Sequence, residues 1–227
     1  MNVEESKPVY LQVIEYISQQ VEANELRKGD KLPTERNLVE ILGVGRNSIR
    51  EALKVLDILG IVERKQGDGT YISEDFSDWF TQPMCLAFML SETKKKEIFQ
   101  FRNMIEVEIA TLAAQRITAD ELIELEVCYK KLIETEDQEM SAVFDKNFHS
   151  ILAKASKNMV IVNAYNAMDC MLDLFIYDIR KEAYSDVGKE LSVIIHKQIL
   201  DAMMKHDARQ ARQAMKRHMD VVRRYYN

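Results

Sequence analysis

Two groups of residues in this chain have the types and spacing to do chemistry. Asp145 and His149 stand four apart in the stretch Asp-Lys-Asn-Phe-His, a spacing that sets a carboxylate and an imidazole on one helix face, from which both can reach a single metal ion. His196 and His218 follow in later segments. A lone histidine on an apolar face is more often structural than a ligand, and spacing alone leaves open whether these two meet the pair. The other group is Arg46-Asn-Ser-Ile-Arg50, whose two arginines share a helix face. An arginine fork suits guanine O6 and N7 or a phosphate, Asn47 can donate to and accept from adenine, and Ser48 is better suited to phosphate.

Composition limits what can hold these groups. The 227 residues are 47% hydrophobic, 30% charged and 8% aromatic, which allows one or two globular cores and excludes a disordered or fibrous chain. With only 7 Gly and 3 Pro, helices are favoured over turn-rich β architecture. Cys85, Cys128 and Cys170 are far apart and never form C-x-x-C, so they read as buried thiols of a reducing cytosol, not as disulfides or a zinc site. No apolar signal region follows the acidic, polar stretch from Asn2 to Ser6, and the apolar run from Met84 to Leu90 is far short of the roughly 20 residues of a membrane span. The expectation is a cytoplasmic protein with no membrane partner. A net charge of −6 argues against indiscriminate polyanion binding, yet Leu26 to Tyr71 carries 9 basic against 7 acidic residues, a local excess of +2.

Periodicity supplies the elements that must position both groups. Val9, Leu11, Val13, Ile14, Ile17 and Val21 predict a first helix between Pro8 and Asn24. Leu26 to Pro33 reads as a loop, Thr34 as the N-cap of a short helix ended by Gly43, and Arg46 to Leu59 as a further helix stopped by Gly60. Two helices about Gly43-Val44-Gly45 read as a helix-turn-helix, whose second helix enters the major groove with its N-terminal residues at the base edges. Ile61 to Arg64 and Thr70 to Ile72, flanking a loop with two glycines, read as a β-hairpin. The first domain, residues 1–75, is thus expected to be a winged helix-turn-helix of three helices and a small hairpin. Residues 76–227 hold one Gly, Gly188, and one Pro, Pro83, and read as an all-α bundle of about seven helices whose interior can hold a ligand or metal. The expected helices cover about 79–90, Thr93 to Arg116, 118–135 from a Thr118/Glu121 capping box, 138–155, 158–183, 187–205 and 207–225. Met159, Met168 and Met171, with Leu172 and Phe175, read as core packing.

Leu32-Pro-Thr-Glu-Arg36, Leu42-Gly-Val-Gly-Arg46, Ile49-Arg-Glu-Ala-Leu53, Leu59-Gly-Ile-Val62 and Gly67-Asp-Gly-Thr70 together resemble the winged-helix domain of the GntR family of bacterial transcription regulators, over nearly all of residues 8–73. The resemblance implies a DNA-binding transcription regulator, most commonly a repressor, that acts on double-stranded operator DNA as a homodimer. It also implies Arg36, Arg46 and Arg50 as main DNA contacts, assisted by Asn47, Ser48, Gln66 and Gly67. One departure stands out: the family usually has Ser or Thr before the arginine matching Arg46, whereas this chain has Gly45. A backbone amide is expected to replace the missing hydroxyl.

Further along, Phe101-Arg-Asn-Met-Ile-Glu106, Ala113-Ala114, the Asp145 to His149 pair, His196-Lys-Gln-Ile-Leu200 and Ala214-Met-Lys-Arg-His218 are similar to the FCD ligand-binding domain found behind this winged helix. The extra helix near 79–90 suggests the seven-helix, FadR-like branch. This resemblance implies Asp145, His149, His196 and His218 as metal ligands and leaves His206 at the surface. Three neutral imidazoles and one carboxylate suit a divalent Zn, Ni, Mn or Fe ion better than Mg or Ca, and open coordination positions would accept a small organic acid as effector. Arg102 is the candidate to pair with that acid's carboxylate; a salt bridge to Glu106 is the alternative. Two other readings are a metal-independent regulator with an acyl thioester effector and a metalloenzyme. The second lacks an H-E-x-x-H motif, and no catalytic residue is assigned.

Overall fold

In the computed structural model, which describes residues 7–74, 94–169 and 190–223 in full, the backbone of 170–172 and 176–189, and Pro83, Leu86, Ala87, Leu90 and Ser91 singly, the chain divides into two units, Met1–Phe80 and Thr81–Asn227. The first contains α1 (Val9–Glu22), α2 (Glu35–Leu42), α3 (Arg46–Ile58), β1 (Val62–Lys65) and β2 (Gly69–Ile72). Helical spacing puts Val13, Ile17, Leu38, Ile49, Leu53 and Leu56 on inward faces, where they form one core with Val62 and Ile72. The Thr34 hydroxyl accepts from Asn37 N at 3.3 Å and starts α2. Gly43 ends that helix with φ 67°, a left-handed conformation that a side chain would disfavour.

The hairpin is antiparallel, with Val62 opposite Ile72 and Lys65 opposite Gly69. The segment before α2 is more than the loop its Gly29 and Pro33 suggest. Leu32 N donates to Thr70 O and Ile72 N to Asp30 O, each at 2.8 Å, and Lys31 bridges Tyr71. This pairing satisfies the outer edge of β2, whose backbone groups otherwise lack partners.

In the second unit the described helices are α4 (Lys95–Arg116), α5 (Ala119–Glu134), α6 (Gln138–Ala155), α7 (Met159–Leu172), α8 (Ile176–Met204) and α9 (Ala208–Val222). The capping box forms as expected: Thr118 Oγ1 accepts from Glu121 N, and Thr118 N donates back to the Glu121 carboxylate. Between α8 and α9, His206 takes φ 50° while Asp207 N donates to Ala202 O, closing the first helix, and the Asp207 carboxylate caps the second. Helix α4 packs against α6, α7, α8 and α9, and its buried Ile98, Ile109, Ala110 and Ala113 belong to the bundle core.

Two expectations are corrected. The break placed at 183–187 does not exist, because α8 runs unbroken through Gly188; an isolated glycine weakens a helix by about 1 kcal/mol relative to alanine without having to end it. Met159 is 52% exposed at the first turn of α7, so it is not core, whereas Met168 is buried. Cys128 is a buried free thiol donating to Phe144 O. Most of the helix expected over 79–90, the Thr93 cap, Cys85, Phe175 and the side chains of Cys170, Met171 and Leu172 lie outside the described residues. Among the described residues no helix is long and apolar enough to cross a membrane. Replacing Thr118 by Ala removes one partner of the capping box and should lower unfolding free energy by about 1 kcal/mol in urea denaturation.

Candidate functional site

The bundle concentrates polar side chains where an apolar core would otherwise continue. Asp145 and His149 project from α6, His196 from α8 and His218 from α9, and all four are buried. The three histidines each offer a ligand atom within 4.8 Å of the others. Their rings pack at centroid distances of 4.9 Å for His149 with His218, 4.9 Å for His196 with His218 and 5.8 Å for His149 with His196. Asp145 joins through His196, with Oδ1 2.9 Å from Nε2. The four residues expected from the resemblance are therefore gathered in one place. His206 is apart from them, exposed, with Nδ1 donating to Ala114 O.

The outer nitrogens are already committed. His149 Nδ1 donates to Glu106 Oε2 at 2.6 Å, and His196 Nδ1 donates to Ser192 O at 2.8 Å. These bonds fix the tautomers so that Nε2 carries the lone pair on both rings, the arrangement in which histidine ligates a metal. Nε2 of His149, His196 and His218 is in each case buried without a hydrogen-bond partner. The short approach of Asp145 to His196 Nε2 is thus not aligned as a hydrogen bond. Neighbouring ligands of one ion, each bonded at about 2.0–2.2 Å, sit about 3 Å apart, so this contact suits two donors facing a shared cation. The donor set fits a transition metal.

Glu106, missed as a site residue from sequence except as a partner for Arg102, proves to be the support beneath His149. Its other oxygen accepts from Arg102 Nε at 3.1 Å, and all three side chains are buried. The salt bridge foreseen as the alternative for Arg102 is therefore present. Burial works against the Glu106 charge, but His149 and then Arg102 hold its carboxyl below the ordinary range. Only the Arg102/Glu106 spacing of four was visible beforehand; nothing local points from Glu106 to His149.

Burial depresses the His218 pKa well below its ordinary value. This ring stays neutral and ready to ligate. A depressed folded-state pKa means that the unfolded chain takes up the proton first, so protein kept in chelator loses stability as pH falls below the unfolded value of about 6.5. Between about pH 7.5 and 5.5 the unfolding free energy from urea denaturation should fall, with a slope approaching about 1.4 kcal/mol per pH unit for one proton. His218→Gln should flatten that dependence; an unchanged slope in the variant would contradict the assignment.

In the first unit the backbone of α3 begins at Gly45, extended at φ −65° and ψ 147° and offering no side-chain cap. Arg46, Asn47, Ser48 and Arg50 are exposed at the helix N-terminus, while Ile49 points into the core. Arg36 is exposed on α2 with Nε 3.3 Å from Glu40, and Gln66 and Gly67 form the exposed tip of the wing, where Gly67 has φ 78°. A groove between α3 and the wing is lined by Lys31, Glu35, Arg46, Arg64, Gln66 and Asp68 among others. Sequence reasoning missed Glu35 and Arg64 here. Asp68 also accepts from Lys31 Nζ at 2.7 Å and from the Tyr71 hydroxyl, tying the wing to the strand-like segment before α2.

Comparison with known proteins agrees with both halves. Residues 9–72 match the family described as bacterial regulatory proteins, gntR family, and residues 97–221 match the FCD domain. The chain is 30% identical over 213 residues to the HTH-type transcriptional regulator LutR of Bacillus subtilis, covering 91% of this chain and 97% of that one. It is also 30% identical over 208 residues to an Escherichia coli protein named as regulatory for the L-lactate dehydrogenase operon, covering 89% and 80%. A solved structure of Streptococcus agalactiae GntR aligns with TM-score 0.66 at 29% identity, covering 95% of this chain and 99% of that one. A winged helix with arginines exposed at the start of its second helix-turn-helix element, followed by an FCD domain, places this chain in the GntR family of bacterial regulatory proteins, as a DNA-binding transcription regulator of the FadR-like type.

Proposed function

We propose that this regulator binds operator DNA as a homodimer, in the cytoplasm and as a repressor, and that a divalent transition metal together with a small carboxylate in the helical bundle controls that binding. One observation carries the sensing half: three buried imidazole nitrogens, each without a hydrogen-bond partner, lie together. Leaving such groups unsatisfied is costly, and a single ion would satisfy all three. Asp145, His149, His196 and His218 would hold it, with Zn, Ni, Mn or Fe as the matching ions. An ion held by these residues would supply Lewis-acid attraction for an anionic oxygen.

Charge accounts for the effector's class. With neutral imidazoles, Arg102, Glu106 and Asp145 sum to −1 in the buried cluster. A divalent ion brings the total to +1, which a monocarboxylate neutralises. Arg102, whose Nε bonds to Glu106, would pair with the effector's carboxylate. The relative named for the L-lactate dehydrogenase operon supports a small hydroxy acid as the ligand class. For regulation, the effector has to bind the DNA-competent and DNA-released states with different affinity.

On the DNA side, Arg46 and Arg50 read base edges, with Arg36, Asn47, Ser48, Gln66 and Gly67 contacting phosphates and flanking bases. Arg46→Ala or Arg50→Ala should cost about 1–3 kcal/mol in operator binding and relax specificity at one position; weakening uniform over all sequences would reassign the residue to phosphate.

Metal analysis of untagged protein purified without added metal should find about one transition-metal ion per chain, lost in the His149→Ala/His218→Ala variant. Metal-free wild type that takes up none on addition would overturn the sensing half. Glu106→Gln keeps all four ligands but weakens the support of His149, and should lower metal affinity by about 10–100-fold in chelator competition.

A further inference from the structure

Glu35 opens α2 and faces three cations from two other elements. Its Oε2 lies 3.7 Å from Arg46 Nε, and its Oε1 lies 3.9 Å from Arg50 Nε and 3.7 Å from Arg64 Nη2. Two of these arginines belong to α3 and the third to β1 of the wing. The carboxylate is the more enclosed partner, with a side chain 25% exposed against 75% for Arg46 and 56% for Arg50.

Stability is a poor account of this cluster. All three distances exceed hydrogen-bond length, and exposed ion pairs of this kind contribute little to folding. Total DNA affinity is a poor account as well, because a negative charge among DNA-facing arginines opposes attraction to phosphates. Order is what the carboxylate provides. Three flexible guanidiniums would repel one another and sample many rotamers; gathered on one anchor, they present their forks in a limited set of directions. Readout of a base edge depends on such a direction, whereas attraction to phosphate hardly does.

We propose that Glu35 is a positioning residue for sequence readout, holding Arg46, Arg50 and Arg64 as one unit that joins the recognition helix to the wing, so that it raises discrimination between operator and other DNA while lowering total affinity. The proposal rests on Arg46 and Arg50 reading base edges.

The test uses the full chain and two duplexes: one enriched from a randomised library by the wild-type protein, and one of random sequence, both titrated by fluorescence anisotropy at the same salt concentration. Glu35→Gln should bind random duplex as tightly as wild type or more tightly, and the enriched duplex more weakly, lowering the ratio of affinities about tenfold. Glu35→Asp, which keeps the charge on a shorter arm, should retain part of the ratio. In an Arg46→Ala background, Glu35→Gln should change the ratio much less than it does in wild type, as expected of a residue acting through Arg46. Equal shifts for both duplexes would overturn the proposal in favour of simple electrostatics, and loss of both with a lowered Tm would overturn it in favour of a structural role. A preference changed at one base position alone would mean that Glu35 reads a base itself, which overturns it too. If Arg46→Ala leaves the ratio unchanged, or the wild type enriches no sequence, the base-reading premise fails. A lowered ratio in Arg46→Ala beside an unchanged one in Glu35→Gln sinks only the positioning role.

Discussion

The second unit is organised around a single requirement: a polar nitrogen withdrawn from water has to find a partner. His149, His196 and His218 are carried into the middle of a helical bundle, and two of them have their Nδ1 atoms satisfied by a carboxylate and a backbone carbonyl. The three Nε2 atoms are left to one another. Around them the sequence places Asp145 on the helix of His149 and a Glu106/Arg102 pair on α4, the helix that packs against four others. A bundle stabilised only by hydrophobic burial would need none of these groups, and apolar residues of similar volume often replace buried ions without loss of stability. Hydrophobic burial alone therefore does not account for their presence.

Charge is handled in opposite ways in the two units. In the bundle, Glu106, Asp145 and Arg102 lie out of water, where Coulomb interactions are strong and each charge must be compensated. In the winged helix, Arg36, Arg46 and Arg50 stand in solvent, where each ion pair contributes little to folding. The first arrangement suits a ligand that has to be enclosed and recognised by coordination. The second suits a partner whose phosphates and base edges replace water at a surface. Glu35 belongs between these cases, a partly covered carboxylate whose value lies in direction more than in energy.

The fold shows the same division of labour at its helix ends. Thr34, Thr118 and Asp137 cap their helices with side-chain oxygens, and Asp207 does so immediately after the left-handed His206. Gly45, like Pro8 before α1, offers no side-chain cap, and it stands at the start of the second helix of the helix-turn-helix. A glycine at an N-cap is weaker than serine or threonine by only a few tenths of a kcal/mol, so folding tolerates it. Gly45 offers no hydroxyl there, and the backbone amides that open the helix are the donors that remain.

Much of this was determined by the sequence itself. Helix starts at Thr34 and Thr118, the stop at Gly43, the inward Ile49 beside outward Arg46 and Arg50, and the shared face of Asp145 and His149 all follow from rules acting within a turn or two of backbone. The motifs also singled out Asp145, His149, His196 and His218 together, but only through likeness to other chains. Tertiary structure alone decided that His196 and His218 close on His149, that Glu106 reaches His149 across 43 positions, and that Glu35 collects arginines from α3 and β1. It decided as well that α8 continues through Gly188 and that Leu32 pairs with Thr70. These features depend on how apolar faces pack, a sum of many weak contacts between distant segments, and no spacing within a single helix records that sum.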